Sequence, residues 1–474
     1  MIRNPVWQGA LLGLGLIVSA CVSAPAAPIK ASPPEGVRLG VHITTLDGEI
    51  VFSDRAAERF MPASNTKLFT AAAMFRYVPG LEQSDPALGT SLQRLKGEGD
   101  APPSLVLVGA GDPALRDGAD CETNCLHELA DAVVAQGITR IADLYADDAA
   151  FPHEPWGMGW SWNNLPFYFG APVSALTVNG NAAALVVRPG PEEGEPILAV
   201  WAEGDDLLDV VNDAVTGPPG SEQTLSVLRL PGTRTVRLSG NLAVDAAGRN
   251  FFLSVEDPAA SAAERFARLL AARGVVVEGV IKVRARSDAP MVGIEIARLT
   301  PPPLIDGVAY LMKDSDNLYA ETLLRLLART MGGDGAEDGL DAVHAMLDPL
   351  GIGRAEVELF DGSGLSPYNR ITPAATVTFL RWTANQPWAD MFRATLPVGG
   401  RDGSLKRRFR GTPLEGRIFA KTGAVQGVNA LSGFMEASSG QTLVFSVIAN
   451  ERPADADSVI PVIDRLLLDI AAAN

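Results

Sequence analysis

The sequence predicts an α+β fold: an antiparallel sheet packed with helices, interrupted by one or two inserted, largely β-rich modules. Three observations carry this. "RLGVHITTLDGEIVFS" (Arg38–Ser53) alternates around Asp47-Gly48, a hairpin signal. "ALSGFMEASSGQTLVFSVIAN" (Ala430–Asn450) alternates around a Ser439-Gly440 turn and leads into the amphipathic "DSVIPVIDRLLLDIAAA". Between these ends, roughly Asp85 to Pro290 is rich in Gly, Pro and short alternating runs such as "TRTVRLSGNLAV" and "NFFLSVED". Both ends then build one sheet, and the middle is inserted into it.

The N-terminus comes first. "MIRNPVWQGALLGLGLIVSAC" carries Arg3, a short apolar stretch and small residues before Cys21. The stretch is short for a bilayer span and reads as a signal peptide. Val18-Ser19-Ala20-Cys21 resembles a bacterial lipoprotein box, which implies lipidation of Cys21, anchoring to a membrane by acyl chains and a periplasmic location. Cleavage near Ala24, leaving a soluble exported protein, is the alternative. Residues 22–36 read as an Ala/Pro-rich tether.

After the first hairpin stands "MPASNTKLFTAA" (Met61–Ala72). Ser64 can be an ordinary helix cap with Lys67 solvated in the first turn. A cation there opposes the helix dipole, however. The chemical alternative is a serine nucleophile with its base one turn along the same face. Lysine is scarce here, seven of 39 basic residues, so a lysine in an apolar run is conspicuous. Buried lysine can shed its proton and arginine cannot.

Within the middle, Cys121 and Cys125 in "CETNC" are most simply a short disulfide in an exported protein. A metal reading with His127 lacks further ligands, and His42, His127, His153 and His344 are scattered; no metal and no cofactor are expected. "SAAERFARLLAARGVVVEGVIKV" reads as a helix ended by Gly274 and followed by a strand. A long helical pattern then runs from Leu311 to Met331, with Ser315-Asp316-Asn317 near its start, where cap residues are ordinary. Lys421-Thr422-Gly423 precedes the last strand pair and alone reads as a strand edge. No G-x-S-x-G elbow frames a serine. The formal charge of −17 and pI of about 4.8 argue against nucleic acid, since no basic stripe is available to release counterions.

Ser-x-x-Lys, Ser-Asp-Asn and Lys-Thr-Gly, in this order, form the motif set of penicillin-binding proteins and serine β-lactamases. "LVLVGAGDPAL", "WSWNNLPFYFGAPVSALTVNGN", "DGSGLSPYNRITP" and "LPVGGRDGSLKRRFRGTP" extend the likeness. The chain resembles the class C low-molecular-mass penicillin-binding proteins, the D-Ala-D-Ala carboxypeptidase/endopeptidase family. The resemblance implies a serine β-lactamase/DD-peptidase-like fold, with the peptidase domain in residues 37–84 and 291–474. It puts one inserted domain at 85–180 and 272–290 and the other at 181–271.

It also implies roles. Ser64 is the nucleophile and Lys67 its base, desolvated near Lys421. Ser315 bridges Lys67 to the leaving amine, and Asn317 holds Lys67 or the substrate amide. Lys421 and Thr422 meet the substrate carboxylate, followed by Gly423. The N–H groups of Ser64 and Ala424 form the oxyanion hole. The substrates implied are peptidoglycan stem peptides, with β-lactams as covalent inhibitors; a homodimer is compatible with the resemblance. The sequence also departs from the family. Ala424 stands where relatives have a hydroxyl residue, which weakens carboxypeptidase relative to endopeptidase action. Asn164 and Pro367 replace an Asp and an Arg that clasp the diaminopimelate end, while Phe169 and Gln426 match. A β-lactamase or esterase on the same site, or a catalytically inactive wall-binding or sensor lipoprotein, are the competing readings.

Overall fold

The computed structural model describes residues 32–97, 99–202, 206–284 and 287–474; Cys21 and the leader lie outside them. The two ends of the chain do meet in one five-stranded antiparallel sheet. Its order is Ile50–Asp54, Arg38–Thr45, Thr442–Asn450, Val428–Glu436, Ile418–Val425. Both faces are covered, so the central strands read as near-continuous apolar runs, such as "TLVFSVIAN". The helix Ile460–Ala473 buries its apolar stripe on one face with Leu39, Val447 and Leu443. Helices Lys67–Tyr77, Asn317–Thr330 and Pro373–Thr383 fill the other, around Phe69, Leu323 and Phe379. The Ile418–Val425 strand is the sheet edge, and it carries Lys421-Thr422-Gly423.

The first insert is not chiefly β. It is a mixed five-stranded sheet in which Ser104–Val108, Leu144–Asp147 and Ile281–Val283 run parallel. Parallel neighbours need long crossovers. Helices Leu126–Ala135 and Pro258–Ala272 supply the packing, sharing one core with Leu107, Leu144 and Leu92. Asp257 caps the second helix by accepting from the Ala260 N–H at 3.0 Å. That helix packs with the first insert, so the division expected at 271/272 falls behind it. Likewise Ile294–Arg298 pairs with Ser91–Leu95, two hundred residues earlier, and Leu299 N–H donates to Thr90 O. The insert therefore closes at Thr90 and Leu299 rather than at 85 and 290. The second insert is β-rich, with small sheets around its own core of Leu185, Val236 and Leu238.

The helical pattern expected from Leu311 to Met331 is two helices, Leu304–Lys313 and Asn317–Thr330. Asp316 accepts from the Tyr319 N–H and caps the second. Ser315 takes a left-handed φ of +64° and breaks the run. The same apolar period continues on both sides of the break, which hides it in the sequence.

Candidate active site

The turn that carries Ser64 is strained. Ala63 has φ +48°, unusual for a residue with a Cβ, and a single 3₁₀ turn, Ala63–Thr66, precedes the helix Lys67–Tyr77. Ser64 makes no capping bond there. Its hydroxyl instead accepts from Lys67 Nζ at 3.0 Å. Asn65 ties this turn to the sheet by donating to Ser432 Oγ at 2.8 Å. Two glycines let other elements come close. A Cβ on Gly364 (φ +85°) would stand 1.9 Å from Ala63 O, and one on Gly423 would stand 2.5 Å from Pro62 O.

Lys67 is fully buried at the base of the site. Its Nζ also donates to Asn317 Oδ1 and to the Ser363 carbonyl, at 2.6 Å each. Burial lowers its pKa to about 8, against the opposing pull of Asp361, Asp316 and Glu321. Lys421 is buried as well and donates to Ser315 Oγ at 2.8 Å. Burial, and then the charge of Lys67, hold its pKa well below the ordinary lysine value. Asn317 Nδ2 donates to Phe169 O at 2.7 Å, which seats the first insert on the site. Thr422 Oγ1 donates to Ser404 Oγ at 2.7 Å.

Two groups were given no role from sequence. The "DGSG" segment contributes the Ser363 carbonyl. Glu321, fully buried one turn after Asn317, accepts the N–H groups of Gly362 and Ser363 on Oε1 at 2.9 Å each. Burial, with the Asp361 charge, pushes its carboxyl up to about 7. Its i, i+4 spacing from Asn317 was the available signal. Asp361 organises the same loop, accepting from Gly364 N, Ser366 N, Asn369 Nδ2 and Trp160 Nε1.

The remaining expected residues scatter around this centre. Ala424 is exposed near the end of the edge strand and Gln426 in the turn after it. Asn164 is half-buried, and its carbonyl accepts from the Phe167 N–H. Pro367 is exposed, and Arg370 spends its guanidinium on the carbonyls of Pro367 and Asn369. Cys121 and Cys125 form a disulfide. Among the described residues no group of His, Cys, Asp and Glu is arranged to hold a metal ion, and no helix is long and apolar enough to cross a membrane.

Residues 26–468 match the D-Ala-D-Ala carboxypeptidase 3 (S13) family. The chain belongs to that family. This S13 protein is 35% identical over 432 residues to a D-alanyl-D-alanine carboxypeptidase of Actinomadura sp. (strain R39), covering 88% of this chain and 78% of the relative. It is 28% identical to D-alanyl-D-alanine carboxypeptidase DacB of Haemophilus influenzae, over 88% and 86% of the two chains. Its structure resembles that of penicillin-binding protein 4 (dacB) from Haemophilus influenzae. The TM-score is 0.80 and the identity 25%, over 92% of this chain and 96% of that one. It is thus a serine-type hydrolase with the α+β fold of penicillin-binding protein 4.

Proposed function

We propose that this S13 peptidase is an exported enzyme, held to a membrane by a lipid on Cys21, that cleaves D-Ala-D-Ala and DD-cross-linked bonds of peptidoglycan stem peptides. The observation that carries the residue assignments is the setting of Lys67. A neutral lysine has two N–H groups and one lone pair. Asn317 Oδ1 and Ser363 O take the two N–H groups, and the lone pair then faces Ser64 Oγ at 3.0 Å. That is a general base aimed at a nucleophile.

Ser64 Oγ attacks the scissile carbonyl carbon as its proton moves to Lys67 Nζ. The N–H groups of Ser64 and Ala424 stabilise the oxyanion. The C–N bond breaks, and the departing amine takes its proton by way of Ser315. Water then cleaves the Ser64 ester and releases the shortened stem. Lys421 and Thr422 receive the substrate carboxylate. A β-lactam acylates Ser64 by the same steps, but its leaving amine stays tethered. One solved structure of penicillin-binding protein 4 from Haemophilus influenzae contains a β-lactam. The test is the intact mass of wild type and Ser64→Ala after exposure to benzylpenicillin. One persistent adduct on wild type alone is expected. Fast penicillin hydrolysis without an adduct would make the protein a β-lactamase, and no reaction would leave a binding protein.

A further inference from the structure

One segment that begins beside the site has the wrong sign for this protein. The segment "RDGSLKRRFRGTPLEGR" (residues 401–417) holds six Lys or Arg against two acids, in a chain of formal charge −17. Nearby carboxylates are already engaged: Asp402 with Lys313 at 2.6 Å, Glu415 with Arg401 at 3.7 Å, and Asp464 with Arg408. Lys406, Arg407 and Arg410 are exposed and have no ion-pair partner among the described residues.

The segment is also fixed in place. Leu405, Phe409 and Leu414 are buried in the core beneath the sheet. Phe409 adopts φ +62°, a conformation that only tight surrounding packing maintains for an aromatic residue. At its start the segment touches the site, where Ser404 Oγ accepts from Thr422 Oγ1. Asp402 braces it against Lys313, two residues before Ser315.

We propose that this basic segment binds the leaving side of the substrate when that side is a peptide bearing several carboxylates. Cross-linked stems are then selected over stems that release a single D-Ala. The proposal rests on the assignment of Thr422 and Lys421 to the substrate carboxylate. A released D-Ala has one carboxylate, and those two residues use it. Nothing remains for Lys406, Arg407 or Arg410. A leaving peptide brings further carboxylates onto cations already held by buried anchors, so little order is lost on binding.

The experiment measures kcat/KM for a cross-linked stem dimer and for a monomeric stem ending in D-Ala-D-Ala, at low and high salt. Wild type is compared with the K406Q/R407Q/R410Q variant. Benzylpenicillin acylation, which involves no leaving strand, reports whether the site is intact in each. The expected result is a dimer-to-monomer ratio about tenfold lower in the variant, with the salt dependence of the dimer reaction flattened. An unchanged ratio in a variant that still acylates overturns the proposal. So does equal loss on both substrates, or loss of binding to anionic phospholipid vesicles at an unchanged ratio, which would make the segment a membrane contact. Wild type without a penicillin adduct would instead refute the assignment of Ser64, and this proposal with it.

Discussion

In the proposed mechanism Lys67 decides most of the chemistry on its own. It is buried, and its ordinary charged form would need three acceptors and a counter-charge. Two carbonyls and a hydroxyl supply the acceptors, and burial lowers the pKa to about 8. Only the deprotonated amine has a lone pair for the Ser64 proton, so the rate of acylation by benzylpenicillin should rise with pH through about 8. A rate flat from about pH 6 to 10 would remove Lys67 as the base. Lys67→Arg keeps the charge but cannot lose a proton, and it should slow acylation by about a thousandfold. Substrate choice also turns on single residues. Asn164 is neutral, Pro367 brings no charge, and Arg370 is turned onto backbone carbonyls. Stems with a capped diaminopimelate side-chain terminus should therefore be hydrolysed about as well as free zwitterionic ones, within about fivefold, the factor that about 1 kcal/mol represents. A strong preference for the zwitterion, measured as kcat/KM on matched peptides, would reject this. The three motifs could be read in the sequence because each is local. The Ser363 acceptor could not, since a backbone carbonyl has no residue type to announce it.

The Asn317 helix acts on Lys67 by two routes. Asn317 touches its Nζ directly, and Glu321, one turn on, holds the loop whose Ser363 carbonyl touches it as well. Arg325 completes the face, fully buried and donating to the Glu321 and Glu154 carbonyls. Glu321→Ala leaves two buried N–H groups without their acceptor and takes the carboxylate, 3.5 Å away, from the buried Arg325 guanidinium. It should cost about 3 kcal/mol of stability and slow acylation as well, whereas Glu321→Gln keeps an acceptor for the loop and should lose much less of both. Denaturant melts and adduct kinetics on the pair check this; equal losses would mean that charge, not loop position, is what Glu321 supplies. Gly364 sets the other side of the same loop. Gly364→Ala combines a left-handed φ with a Cβ 1.9 Å from Ala63 O, so the strained turn before Ser64 must move. Penicillin acylation should be nearly abolished while the far-UV spectrum is kept; a normal adduct rate would show that the turn tolerates the shift. The sequence showed where helices start better than where they stop. Asp316 and Asn317 read as cap residues, but the apolar period carried across Ser315 and concealed the break that aims Ser315 at Lys421.

At the scale of the whole chain, the sequence marked out an interrupted sheet because both of its ends alternate strongly around Gly-containing turns. The limits of the inserts were harder. They depend on pairing between distant strands, such as Ile294–Arg298 with Ser91–Leu95, and the apolar alternation of the later strand does not say which partner it will find. The helices of the first insert were likewise underweighted beside its Gly- and Pro-rich loops. The inserts differ in how they meet the site. The stretch from Met158 to Phe169 is bound into it, with Trp160 donating to Asp361, Ser366 to Met158 O and Asn317 to Phe169 O. The second insert hangs from a hairpin, where Ala184 pairs with Phe252 and Ala182 with Ser254, and it has a core of its own. A chain in which a two-residue Asn-Gly turn joins Ala184 directly to Phe252 closes that hairpin without touching the catalytic loop. It should fold and form the penicillin adduct on Ser64 at the wild-type rate. Excising the Met158–Phe169 stretch should abolish the adduct, because Asn317 and Asp361 both lose partners. If the first excision also stops acylation, the second insert is holding the Phe169 segment in place through Arg229, which donates to Leu165 O and to Ser254 Oγ. Arg229→Ala in the intact chain should then stop it as well.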